Sequence, residues 1–176
     1  MKHPISNDHP LYHLMNEAVV DALNGSQDVE VSADIERYLT HLLLNFLHTD
    51  ELYSLTTENG ERITSIYEML ARADVRLGAN SFEEERAVHK HVADFILFWR
   101  GINPDYLGQR LPRQPFTLSC DYSDQAKRSY YVVSTFDYGE YRYEAPVFRR
   151  LSEDFEAWAS ALGEVRRQLP MSFPGA

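Results

Sequence analysis

Apolar residues recur at every third or fourth position along most of this chain, the spacing that lines one face of an α-helix, and strict alternation is nearly absent. The clearest case is SFEEERAVHKHVADFILFWRGINPD, residues 81–105. Ser81 with Glu84 has the pattern of a capping box, three glutamates sit where the helix dipole favours them, and Val88, Val92, Phe95, Ile96 and Trp99 form the stripe. Gly101 offers a left-handed turn to end that helix, and Asn103-Pro104 opens a short further one.

The same reading extends to both sides. A first helix is expected from Leu11 to Asn24, with Leu11, Leu14, Met15, Ala18 and Ala22 inward and Gly25 as its stop. Ser32 caps a second, to about His48, on Ile35, Leu39, Leu42, Leu43 and Phe46. Residues 50–55 suit a short helical turn, Asn59-Gly60 a tight turn, and Ile63, Ile66, Tyr67 and Leu70 a third long helix towards Gly78. Beyond a turn at 104–108, Pro112 and Pro115 make 109–118 an extended crossing. A helix from Asp121 to Tyr138 follows, Gly139 breaks it, and 141–144 alternate like a short strand. Pro146 opens the last helix, which carries Val147, Phe148, Leu151, Phe155, Trp158, Leu162 and Val165 to about Leu169. The pattern predicts an all-α, single-domain bundle of five to six main helices with short connecting helical turns over 1–176, with 1–10 and 170–176 as loosely ordered tails.

Composition narrows the function classes. With 176 residues and 44% hydrophobic content, the chain holds enough apolar material for one core. Its one cysteine, Cys120, supports neither an intrachain disulfide nor a multi-cysteine metal site. No signal-like apolar run opens the sequence, and no stretch reaches the roughly 20 apolar residues of a membrane span. A soluble cytoplasmic protein is expected. The net charge of −10 arises entirely in residues 1–88, which hold 6 Lys+Arg against 16 Asp+Glu, while 89–176 hold 11 against 11. An acidic half disfavours nucleic acid and anionic membrane as partners, since both are bound through clustered Lys and Arg.

The recurrent chemical motifs are missing. There is no Glu-x-x-His pair for a di-iron bundle, no His-Glu-x-x-His, and no phosphate-binding glycine loop, nucleophile elbow or EF-hand loop. All seven histidines fall within the first 91 residues without converging. His41 and His48 share a helix face but lie about 10 Å apart along it; His89 and His91 are roughly 200° apart around theirs. His13 with Glu17 and Glu85 with His89 suit ordinary i,i+4 pairs. No metal and no cofactor are expected.

Two features remain. Asp94 interrupts VADFILFW beside an apolar stripe, where charge is costly to bury, with Lys90 four residues back and Arg100 at the helix end as cationic partners. Seven of eleven tyrosines fall between 106 and 143, which suits core, interface or pocket rim.

Over HVADFILFWRGINPDYL, then DYSDQAKRSYYVV and VFRRLSEDFEAWASALGEV, the chain resembles a group of uncharacterised bacterial helical proteins. In these an acidic residue precedes a Leu-Phe-rich helix end, followed by Gly, a Pro-acidic pair and a tyrosine-bearing helix. Asp94, Phe98, Gly101, Pro104, Asp105, Tyr122 and Tyr130 are the matching positions, while Trp99-Arg100 and Asn103 depart from the pattern. The likeness spans mainly residues 88–165 and implies a bacterial all-helical protein, with no activity to carry over.

The leading functional expectation is a non-enzymatic protein-binding or assembly module that takes a protein partner or self-associates as a homodimer, with Tyr131, Tyr138, Tyr141 and Tyr143 as interface candidates and Trp99 and Tyr130 as further aromatic anchors. The alternative is a helical-bundle small-molecule binder or enzyme with a pocket between the 82–100 and 121–138 helices. That pocket would use Asp94, Phe95, Trp99 and Tyr130, with His41 or His91 nearby.

Overall fold

The computed structural model describes residues 5–26, 29–57, 59–73, 81–110 and 121–169, and these form an all-helical bundle. In chain order the helices are α1 (Pro10–Asn24), α2 (Ala33–Phe46), α3 (Thr49–Leu52), α4 (Ile66–Ala73), α5 (Phe82–Ile102), α6 (Asp105–Arg110), α7 (Tyr122–Ser134), a 3-10 turn (Gly139–Tyr143), α8 (Ala145–Glu153) and α9 (Phe155–Gln168). Several begin on side-chain caps that occupy otherwise unpaired backbone N–H groups. His9 accepts from Leu11 N, Ser32 from Ile35 N, Ser81 from Glu84 N and Asp121 from Ser123 N. The Glu84 carboxylate turns towards Arg72 of α4, so this residue ties two helices together.

The organising element is α5. Its first half buries one side, whereas every residue from Val92 to Trp99 is buried. A helix apolar on all sides belongs in the middle of a bundle, and FILFW supplies that middle. It packs most extensively against α7 and α9 and also against α4, while α1 bridges α2 and α9, and α8 lies on α7.

Close approach of α5 and α9 depends on Gly101. This glycine lies inside the helix, which continues to Ile102 and is capped by Asn103; it does not form the left-handed stop expected of it. A Cβ at Gly101 would lie 2.4 Å from Leu162 Cβ and 3.0 Å from the Ala159 carbonyl oxygen. Gly163 faces it, where a Cβ would meet the Gly101 carbonyl oxygen at 3.3 Å. Two small residues thus let the helix backbones touch.

Other departures have local causes. Leu14 and Tyr67 are largely exposed, and Val19 and Leu23 of α1 complete the buried face. Ile63 precedes α4: it sits in a small turn-back where Thr56 pairs with Arg62 around Asn59-Gly60, with Gly60 at φ 81. Helix α7 stops at Ser134, and 139–143 coil into a 3-10 turn in place of the short strand. The expected last helix is two, divided at Asp154 (φ −107, ψ 28). The Trp158 indole donates to the Arg150 carbonyl across the break, and the change of direction lets α8 lie on α7 while α9 reaches α5 and α1. At the N-terminal tail, His9 and Pro10 are ordered as a helix start. The expectations for 1–4, 74–78, 111–118, Cys120 and 170–176 fall outside the described residues.

Gly101→Ala is expected to destabilise the fold by about 1–3 kcal/mol through overpacking against Leu162. Urea denaturation followed by circular dichroism measures it, and a neutral substitution would contradict the close packing of α5 on α9.

Candidate functional site

The site is built outward from Asp94. At 6% exposure, this carboxylate lies where α5 passes from half-buried to fully buried. One helical turn earlier, Lys90 donates through Nζ to Asp94 Oδ2 at 2.8 Å. The Tyr38 hydroxyl of α2 donates to Oδ1 at 2.5 Å, and the Tyr130 hydroxyl of α7 donates to the same oxygen at 2.8 Å. One carboxylate therefore joins three helices. Charge-assisted hydrogen bonds of this kind are the strong ones, and they offset the cost of removing the carboxylate from water.

The environment alters both tyrosines. Burial, and then the Asp94 charge, push the Tyr38 and Tyr130 hydroxyls well above their ordinary 10.0. Each therefore remains a donor across the neutral range. Tyr130 is completely buried, while Tyr38 is half-buried and meets Phe148 edge-on at 5.3 Å.

Beside this network a cleft of about 460 Å³ opens between α2, residues 51–55, the end of α4 and the first half of α5. Tyr38, His41, Leu42, Asn45 and Phe46 form one wall, and Arg86, Ala87, Val88, Lys90, His91 and Asp94 form the other. Glu51, Ser54 and Leu55 contribute from the loop, with Arg72 and Glu84 at the α4 side. Apolar and polar side chains are mixed throughout, and the size suits a small organic molecule.

The cations of the wall are held in place. Arg86 is nine-tenths buried; its guanidinium carbon lies 4.0 Å from the centre of the Tyr141 ring and 5.4 Å from that of Phe148, and Nη2 donates to Glu144 at 2.7 Å. Its Nε is buried without a hydrogen-bond partner. Lys90 Nζ lies 5.2 Å from the Tyr38 ring centre. Arg72 donates to the Thr56 carbonyl and to Glu84.

His91 also lines the cleft. It lies between Phe46 and Phe95, with Nδ1 3.4 Å from Ser54 Oγ and Nε2 buried without a partner at hydrogen-bond geometry. Burial lowers its proton affinity below the ordinary 6.5; Lys90 acts in the same direction, against Asp94, the Leu52 backbone and Glu51. His41 is lowered by burial and then by Arg37, and its ring lies 5.3 Å from that of Tyr12.

Of the expected pocket residues, Asp94, His41 and His91 line this cleft. The cleft opens on the α2 side of α5 and not between α5 and α7. There the gap is filled by Ser129 and Tyr130, and by His89 Nδ1 3.1 Å from Ser129 Oγ, which also accepts from Gln125. Phe95 and Trp99 are core, Trp99 stacking on Tyr106 at 3.7 Å. Trp99 and Tyr130, at 1% and 0% exposure, are closed to any partner as anchors. Among the interface candidates, Tyr131 lies under Arg149, Tyr141 lies under Arg86, and Tyr138 and Tyr143 are largely exposed. Arg100 is exposed, so Lys90 is the cation that meets Asp94.

Tyr38 and Arg86 were not singled out by their sequence context. A usable signal existed: 86, 90 and 94 are spaced by four and share a helix face, and Tyr38 stands within the Ile35, Leu39, Leu42 stripe. Among the described residues, no three His, Cys, Asp or Glu side chains are grouped to hold a metal ion, and no helix is long and apolar enough to cross a membrane. No family model, curated protein or solved structure matches the chain, so the likeness over 88–165 carries no further argument.

The shifted groups set the pH profile. His41, His89 and His91 bind protons less well when folded, so their contribution is complete above 6.5 and is lost as pH falls below it. The two tyrosines bind theirs more tightly when folded, so stability also declines as pH rises beyond 10.0. Denaturation midpoints between pH 8 and 5 should therefore fall in the native chain and fall less in His91→Gln; equal slopes would exclude His91 as a contributor.

Proposed function

We propose that this protein binds a small molecule in the cleft between α2 and α5, as a non-enzymatic binder working in the cytoplasm. One observation carries the reading: a buried carboxylate, held by donors from three helices, lies in the wall of a cleft of about 460 Å³. Buried polar networks are retained where they fix geometry, and this one fixes the two helices that form the cleft walls. Lys90, Tyr38 and Tyr130 engage both Asp94 oxygens, which favours a positioning role over proton transfer.

A protein-binding surface is the second reading, supported by Tyr138 and Tyr143 at 51% and 83% exposure on one short 3-10 segment and its flank. Arg86 belongs to both regions: its guanidinium packs on Tyr141, and the residue lines the cleft.

Ala87 is exposed, small and part of the cleft wall. Ala87→Trp should fill the opening while leaving the core untouched. A thermal-shift screen of metabolite-sized compounds is expected to yield ligands that raise the melting temperature of the native chain and not of Ala87→Trp. Ligands that act equally on both chains would contradict binding in this cleft.

A further inference from the structure

Building on the small-molecule reading, we infer that the ligand is an organic carboxylate whose acidic group is held between Lys90 and Arg86. Asp94 has both oxygens engaged, by Tyr38 and Tyr130 on one and by Lys90 on the other. Lys90 has three N–H donors and Arg86 five. The bonds these two make to Asp94 and Glu144 use a fraction of that number. At Lys90 and Arg86 the wall therefore offers spare donors, which favours an acceptor-rich group there.

Sequence spacing and ring contacts put the two cations on one side of α5. They are four residues apart on the same helix face. Lys90 Nζ lies 5.2 Å from the Tyr38 ring, Arg86 lies 5.4 Å from the Phe148 ring, and these rings meet edge-on at 5.3 Å. Both charged heads thus border the same aromatic pair. Arg86 is nine-tenths buried and packed on Tyr141, so its position is fixed before a ligand arrives. Its Nη2 already donates to a carboxylate, that of the largely exposed Glu144, which shows the shape of group that the guanidinium can bind.

Charge argues for one negative charge and not two. Arg72, Arg86 and Lys90 in the lining are matched by Glu51, Glu84 and Asp94, and the chain as a whole carries −10. A neutral cleft in an acidic protein tolerates a monoanion better than a phosphate dianion. Leu42, Phe46 and Leu55 give the remainder of the ligand an apolar surface.

The test is ligand-observed saturation-transfer NMR on the full chain with four probes of one shape: benzoate, benzamide, benzylamine and phenyl phosphate. Benzoate is expected to bind, and Ala87→Trp to abolish its binding. Lys90→Gln should weaken it about tenfold, Lys90→Arg should retain it, and Glu144→Gln should strengthen it by freeing Arg86. Benzamide binding as well as benzoate, and blocked by Ala87→Trp, would overturn the carboxylate while leaving the cleft as a binding site. Phenyl phosphate binding more tightly than benzoate would overturn the choice of a monoanion. Benzoate binding unchanged in Lys90→Gln or in Ala87→Trp would overturn the assigned position, and silence from all four probes would overturn the inference.

Discussion

The described structure is organised around a charge buried where helices meet. Asp94 lies at the point on α5 where a one-sided amphipathic helix becomes one buried all round, and its carboxylate collects hydroxyls from α2 and α7 and the ammonium of Lys90. An isolated carboxylate at this depth would cost several kcal/mol. Three donors in good geometry offset that cost only while α2, α5 and α7 keep their relative positions. The network is thus a geometric constraint as much as a source of stability, and the cleft lies on the side where α2 is joined to α5 by the Tyr38 hydroxyl and by Phe46 packed edge-on against Phe98.

That constraint connects the parts of the wall. Lys90 is shared between Asp94 and the face of Tyr38, Tyr38 meets Phe148, and Phe148 lies beside the guanidinium of Arg86. A chain of contacts runs from the buried carboxylate to the Tyr141 ring near the surface. On the other side of α5, His89, Ser129 and Gln125 form a hydrogen-bonded contact with α7. The two faces of one helix therefore do different work: one seals the core and the other borders a cleft.

The fold was readable because its signals are local. Caps at Ser32 and Ser81 and the stripes of α1, α2 and α5 depend on residues within a few positions of each other, and they placed these helices correctly. What escaped depends on contacts between distant residues. Gly101 looks like a helix stop until α9 is brought against it, and the break at Asp154 is invisible in a continuous 3.6-residue pattern. The site divides in the same way. Asp94 and its Lys90 partner were legible, being four residues apart, whereas Tyr38 lies 56 positions away and joins only in three dimensions. Tyrosine clustering in the sequence was a poor guide, since Tyr130 is core, Tyr141 supports Arg86 and Tyr143 faces solvent.

The central claim is that Tyr38 and Asp94 are energetically coupled across the α2–α5 boundary. A double-mutant cycle of Tyr38→Phe and Asp94→Asn, read by chemical denaturation, measures that coupling without the background of either single change. The account predicts an interaction energy of about 1–2 kcal/mol. Additive effects, with no coupling beyond experimental error, would contradict it.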